Sequence, residues 1–237
     1  MNRFLTRPLY LQLRDALVER IATGQWKPGS MVPNEGDLAR EFGVSPGTMR
    51  KALDLMESMR LLTRRQGRGT VVNDPSSEEL ASRYTNLRRA DGRVIADDVK
   101  SGEITESPAN ETERIRLRLA KDDRVFRAHR RRLHEARAYM VEEASMPTAL
   151  FPGLADDQNP SPGITELAGH YGLLLGNAEE RVSVGEASLE VAEALGIAFA
   201  SPVLVLDRVV YGLDGRPVEW RMGWCHSADR MYLAEMR

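Results

Sequence analysis

The chain has 237 residues, 42% hydrophobic and 29% charged, with a formal charge of −2. That length suits two domains, and the balance is that of a soluble globular protein, which excludes disordered and fibrous classes. No run approaches 18 apolar residues, which argues against a helical membrane span. The N-terminal stretch lacks a signal-peptide core, and the single cysteine, Cys225, forms no intrachain disulfide. A reducing, cytoplasmic setting is the expectation. The charge is uneven: residues 1–74 carry a net +4 and residues 75–237 a net −6. A basic small domain beside an acidic larger one points to a polyanion meeting only the first.

The first predicted helix follows Pro8, with Leu9, Leu13, Leu17 and Ile21 at spacing four and Val18 widening the stripe. Gly24 ends it. A second helix starts at Asn34, its N-cap, with Asp37 in the first turn; it presents Leu38, Ala39 and Phe42 and stops at Gly43. The third has the sharpest start: Ser45 as N-cap and Pro46 as first helical residue, where a missing N–H costs nothing. Met49, Ala52, Leu53 and Met56 share its apolar face, leaving Thr48, Arg50, Lys51 and Asp54 off it. Residues 61–72 then read as a hairpin with a basic, glycine-rich tip.

Three helices and a hairpin in this order make a winged helix-turn-helix. The start of its third helix is suited to the major groove, where Ser and Thr reach phosphates and Arg reads guanine edges. Gly47 allows close approach. Arg65, Gln66 and Arg68 at the tip, with Gly67 and Gly69, suit phosphates or the minor groove. A helical domain with a merely solvated basic face is the competing reading. Gly43-Val44-Ser45-Pro46-Gly47 spells the G-x-S-x-G of serine hydrolases, but that elbow needs a strand before the serine. Here a helix precedes it.

Residues 73–83 are polar and form the linker, giving domains at 1–73 and 84–237 with 74–83 between. Beyond it, Val125–Leu133 and Val203–Tyr211 read as strands, each followed by a turn and a second strand ending in Val-Glu, at Val141-Glu142 and Val218-Glu219. Thr165–Tyr171 and Leu189–Leu195 read as helices. The second domain is α+β with an antiparallel sheet. Its densest chemistry is Arg127–Arg132. On a strand, Arg130 and Arg132 share one face, and His129 and Arg131 the other. The pair is either a solvated edge or an inward clamp for an anion.

Residues 7–72 resemble the DNA-binding domain of GntR-family regulators, through PLYLQLRDALVERI, G-x-W-x-P-G-x-x-x-P-x-E, LAREFGVSPGTMRKAL and LLTRRQGRGTVV. The resemblance implies a homodimer on a double-stranded DNA operator that is an inverted repeat. Its DNA contacts are expected from Ser45, Gly47, Thr48, Arg50, Lys51, Arg65, Gln66, Gly67, Arg68 and Gly69. Gly36 stands where many relatives carry a DNA-touching Arg. Residues 84–233 resemble the UTRA effector domain of the HutC subfamily, a chorismate-lyase-like fold, through RVFRAHRRRLHEARAYMVEEASMP and SPVLVLDRVVYGLDGRPVEWRMGW. Arg130, Arg132, Glu142, Glu219 and Trp224 are the matching pocket positions. The hydroxyl clusters of phosphate-sensing relatives are mostly missing from Tyr84–Arg88 and Pro162–Thr165, so a carboxylate is as much an expectation as a sugar phosphate. The function implied is a repressor released by a small anionic metabolite. No cofactor, metal or membrane partner is expected. An activator and a residual lyase-like enzyme are the alternatives; the four scattered histidines and the absence of metal or phosphate-loop spacing argue against the enzyme.

Overall fold

The computed structural model describes residues 7–65, 67, 69–74, 84, 86–95, 98–156, 163–227 and 229–234. The chain divides into two compact units, Met1–Leu80 and Ala81–Arg237. The expected linker lies, but for Asp74, outside the described residues, as do Gln66 and Arg68.

In the first unit α1 (Leu9–Ala22), α2 (Glu35–Glu41) and α3 (Pro46–Ser58) pack around one apolar centre. Leu13, Leu17 and Ile21 of α1 meet Met49, Ala52, Leu53 and Met56 of α3, all buried. Leu9, one turn earlier on the predicted stripe, is 52% exposed because the stripe outruns its partners. The caps are as the sequence implies: Asn34 accepts from the Asp37 N–H at 2.9 Å, and Ser45 from the Thr48 N–H at 3.2 Å. The wing pairs β2 (Leu62–Arg65) with β3 (Gly69–Val72), and β3 also takes β1 (Met31–Val32). Strand β1, just before the α2 cap, went unpredicted, since a two-residue strand has no period to read.

The second unit is built on a six-stranded antiparallel sheet. Its strands are β5 (Asp98–Pro108), β6 (Arg124–His134), β7 (Arg137–Pro147), β8 (Leu175–Glu186), β9 (Pro202–Gly212) and β10 (Pro217–Cys225), in the order β5-β6-β7-β10-β9-β8. The two expected hairpins are β6–β7 and β9–β10, joined at the centre of the sheet. Their second strands run past the Val-Glu pairs, to Pro147 and Cys225, rather than ending there. A two-stranded ribbon, β4 (Leu87–Arg89) with β11 (Arg230–Tyr232), completes the strands.

Two apolar layers cover opposite faces of the sheet. On the first face, Phe126, Ala128, Met146 and Val210 pack beneath α5 (Ile164–His170) and Phe151. Toward the other end of that face, Met140, Leu206 and the free, buried Cys225 pack beneath Leu87 of the ribbon. On the second face lie α4 (Glu111–Leu117) and α6 (Leu189–Leu195). Helix α4 begins with a full capping box: Asn110 accepts from the Glu113 N–H at 2.9 Å, and Glu113 from the Asn110 N–H at 2.7 Å. The buried Glu113 also accepts from Arg127 and Ser145, pinning the helix to β6 and β7.

Candidate functional sites: a basic wing and a buried charged band

On the first unit, the start of α3 and the described residues toward the wing tip are both exposed. Ser45, Gly47, Arg50 and Lys51 are exposed; Thr48 is half-buried, its hydroxyl 2.8 Å from that of Ser45. The charges there are held. Arg50 pairs with Glu35 of α2 at 2.9 Å, a contact that raises its pKa, first through the hydrogen bond and then through charge. The Lys51 ammonium sits 4.0 Å from the centre of the Tyr10 ring. At the root of the wing, Arg64 bridges Asp54 at 2.5 Å and Glu57 at 2.9 Å, which fixes the hairpin against α3. Arg65 is exposed and, among the described residues, has no ion pair. Gly67 and Gly69 close the turn at φ +71° and +90°, conformations that L side chains rarely adopt.

The second unit carries its chemistry in the middle of the first sheet face, between the two apolar clusters. Registry builds it. Arg130 on β6 is opposite Glu142 on β7, and Arg221, Arg208 and Glu180 lie in line across β10, β9 and β8. Directly paired residues point to the same side, and the two rows, two residues apart on β7 and β10, share a face, so neighbouring rows collect charges from five strands. Arg130 donates to Glu219 at 2.7 Å, and both side chains are almost fully buried. Arg132 donates to Glu142 at 2.7 Å, and Arg221 also donates to Glu142. Arg221 reaches on to Glu180 at 3.1 Å, and Glu180 accepts from the Tyr232 hydroxyl at 2.7 Å.

Burial works to raise the pKa of Glu142, but the guanidiniums of Arg132, Arg221 and Arg130 outweigh it and hold the carboxyl far below its ordinary range. Burial, with Arg221 alongside, pulls Arg208 down to about 10. Burial and then the Glu180 contact push Tyr232 up to about 12. Several buried atoms here have no hydrogen-bond partner: Nε and Nη1 of Arg208, Nε of Arg130 and Arg221, Oε2 of Glu142 and Oε1 of Glu219. Buried polar atoms are nearly always satisfied, so this concentration makes the band the candidate site of the second unit. A cavity of about 220 Å³ adjoins the band, lined by Tyr84, Asn86, Asn177, Glu180, Arg208 and Tyr232.

Of the five pocket positions expected from sequence, Arg130, Arg132, Glu142 and Glu219 are brought together. Trp224 is not brought to this face. It pairs with Val141 and Val205, one position off the Glu142 register, so its ring points to the second face and packs near α6. There it lines a cavity of about 310 Å³ with His129, Arg131, Val141 and the strand residues Arg130 and Glu142. Cys225 takes the first-face position. Sequence reasoning missed Arg208, Arg221 and Glu180. The alternation in V-E-W-R signalled Arg221, which shares Glu219's face; no comparable signal marked the other two. Among the described residues no cluster of His, Cys, Asp and Glu fits a metal ion, and no helix is long and apolar enough to cross a membrane.

Comparison with known proteins agrees with both halves. Residues 98–231 match the UTRA domain family, and residues 9–72 match the bacterial regulatory proteins of the gntR family. The chain is 28% identical to the mannosyl-D-glycerate transport/metabolism system repressor MngR of Escherichia coli, over 94% of this chain and 93% of that one. It is 30% identical to the transcriptional regulator Rv0792c of Mycobacterium tuberculosis, over 90% of this chain and 80% of that one. The repressor NagR of Bacillus subtilis is 26% identical over 98% and 99%. Among solved structures, PhnF of Mycobacterium smegmatis shares the fold at a TM-score of 0.57 and 21% identity, covering 94% of this chain and 98% of that one. The ligand-binding domain of a GntR-family regulator from Bordetella bronchiseptica does so at 0.60 and 21%, covering 65% and 98%. With a DNA-binding domain of one family and an effector-binding domain of the other, the chain belongs to the GntR family of bacterial transcription regulators, in its UTRA-bearing branch.

Proposed function

We propose that the protein is a homodimeric repressor that binds an inverted-repeat operator and releases it when a small anionic metabolite enters the buried band. The observation that carries this reading is the band itself: charged side chains from five strands, sealed from water yet incompletely hydrogen-bonded, beside a cavity. The DNA-reading set is Ser45, Gly47, Thr48, Arg50 and Lys51 on α3, with Arg65, Gly67 and Gly69, and with Gln66 and Arg68 from the tip. The effector set keeps Arg130, Arg132, Glu142 and Glu219 and leaves out Trp224. MngR is named for a sugar linked to a carboxylic acid, which supports an acidic, hydroxylated effector here.

The test is a fluorescence anisotropy titration on a duplex selected by the protein from a random library. Effector binding is expected to lower operator affinity through a coupling of about 1–3 kcal/mol. Arg132→Ala is expected to keep operator affinity and lose the response. Effector-tightened operator binding would replace repression-by-default with activation, and loss of DNA binding in Arg132→Ala would make Arg132 structural.

A further inference from the structure

We propose that the second face of the sheet carries a ligand site of its own, behind the charged band, and that it takes a small zwitterion with an apolar side chain: an α-amino acid such as phenylalanine or leucine. The proposal stands whether or not the band is the effector site.

Strand registry lays the floor of this site. Lys100 on β5 is opposite Arg131 on β6, Arg131 is opposite Val141 on β7, and Val141 is opposite Trp224 on β10. The four make one row. They alternate along their strands with Arg130 and Glu142, whose side chains belong to the first face, so the row points to the second. One end of the row is cationic and the other apolar. Val191 of α6 packs with Val141 and Trp224 at the apolar end, giving the floor a wall. The cavity between floor and wall, about 310 Å³, is at the lower end of the roughly 300–1,000 Å³ of small-molecule sites and suits one amino acid rather than a peptide.

The charges around this cavity are unpaired. Lys100 and Arg131 are directly opposite each other, an arrangement of like charges that works against strand pairing. Both are exposed, and neither has an ion pair among the described residues. Two exposed carboxylates line the same cavity: Glu143, two residues along β7 from Val141, and Glu190 on α6. Neither of these has an ion pair among the described residues. Cations and carboxylates thus share one cavity without reaching one another. A simple anion would satisfy Lys100 and Arg131 but meet repulsion from Glu143 and Glu190, and a simple cation the reverse. A molecule with a carboxylate at one end and an ammonium at the other completes both sets. Its side chain is left with Val141, Val191, Ala194 and the half-buried ring of Trp224, which are apolar.

The experiment is calorimetric titration of the full chain with L-phenylalanine and L-leucine, and with analogues that lack one charge. Phenylpropanoate and isocaproate lack the ammonium; phenethylamine and isoamylamine lack the carboxylate. At least one amino acid is expected to bind, with both of its analogues roughly tenfold weaker or more, the worth of one charge-assisted contact. Arg131→Gln and Glu143→Gln are each expected to weaken that amino acid by a similar factor. Both side chains are exposed, so both variants are expected to keep the wild-type melting point, and lost affinity then reports the site rather than the fold. Failure of both amino acids to bind, an analogue that binds as tightly as its parent, or unchanged affinity in either variant overturns the proposal.

Discussion

Glu142→Gln is the sharpest probe of the charged band. The carboxylate is fully buried, accepts from Arg132 and Arg221, and has Arg130 opposite it across the strand pair. The amide keeps the shape and one acceptor but removes the charge, so Arg132, Arg221 and Arg130 lose the carboxylate they share. Removing one partner of a buried pair costs about 3–5 kcal/mol, because the charges left behind have no solvent to turn to. For a unit of this size each kcal/mol moves the melting point by roughly 2–4 °C, which places the expected fall at roughly 6–20 °C in scanning calorimetry. Linkage adds a second observable. The folded-state pKa of Glu142 lies below its ordinary 4.5, so its contribution is fully present above that value and is lost only as pH falls below it toward the folded pKa. The gap between wild type and variant is therefore expected to stay flat from pH 7 to 5 and to narrow below about 4.5. A loss under about 1 kcal/mol, the range of exposed pairs, would refute the reasoning by showing that water reaches the band.

Three further outcomes are expected from the DNA-binding unit. Glu35→Gln frees Arg50 from its exposed salt bridge and removes a negative charge beside α3, so DNA affinity at matched salt is expected to rise several-fold; unchanged or weaker binding in anisotropy would exclude Arg50 as a DNA contact. Ser45→Asp keeps an N-cap acceptor and hence the melting point, yet weakens DNA binding through repulsion of phosphate, whereas Ser45→Ala lowers stability by about 1 kcal/mol. Equal DNA affinity in Ser45→Asp would move the phosphate backbone away from this cap. Gly69→Ala puts a Cβ at φ +90°, 2.5 Å from the end of the flexible Met31 side chain. Met31 swings aside, the backbone does not, and chemical denaturation is expected to show a loss of about 1–2 kcal/mol. A neutral result would mean that the wing turn readily takes another shape.

What the sequence disclosed and what it hid follow from range. The start and the buried face of α3 were legible to the residue because Ser45, Pro46 and the Met49–Ala52–Leu53–Met56 stripe all act within one or two turns. The faces of β6 were legible too, since alternation alone puts Arg130 and Arg132 on one side. Helix α4 was missed although Asn110 and Glu113 spell a capping box, because only two turns of helix follow it, too few for a periodic apolar stripe. β8 was missed because an edge strand mixes exposed polar and apolar residues without a clean period. The charged band needed what no local pattern holds: the strand order that carries Arg208 and Glu180, on β9 and β8, into line with Arg221. Trp224 shows how narrow the margin is, for a shift of one residue along a strand exchanges the two faces.

The lone cysteine makes the molecule its own reporter. Cys225 is wholly buried at the ribbon end of the first face, and burial pushes its thiol up to about 12. Only a thiolate exposed to solvent reacts quickly with a disulfide reagent, so labelling has to wait for that part of the sheet to open. The labelling rate is thus a clock for excursions of the cover formed by Leu87 and Tyr232, and Tyr232 is also part of the cavity wall. Without any introduced probe, a ligand that closes the cavity is expected to slow that clock.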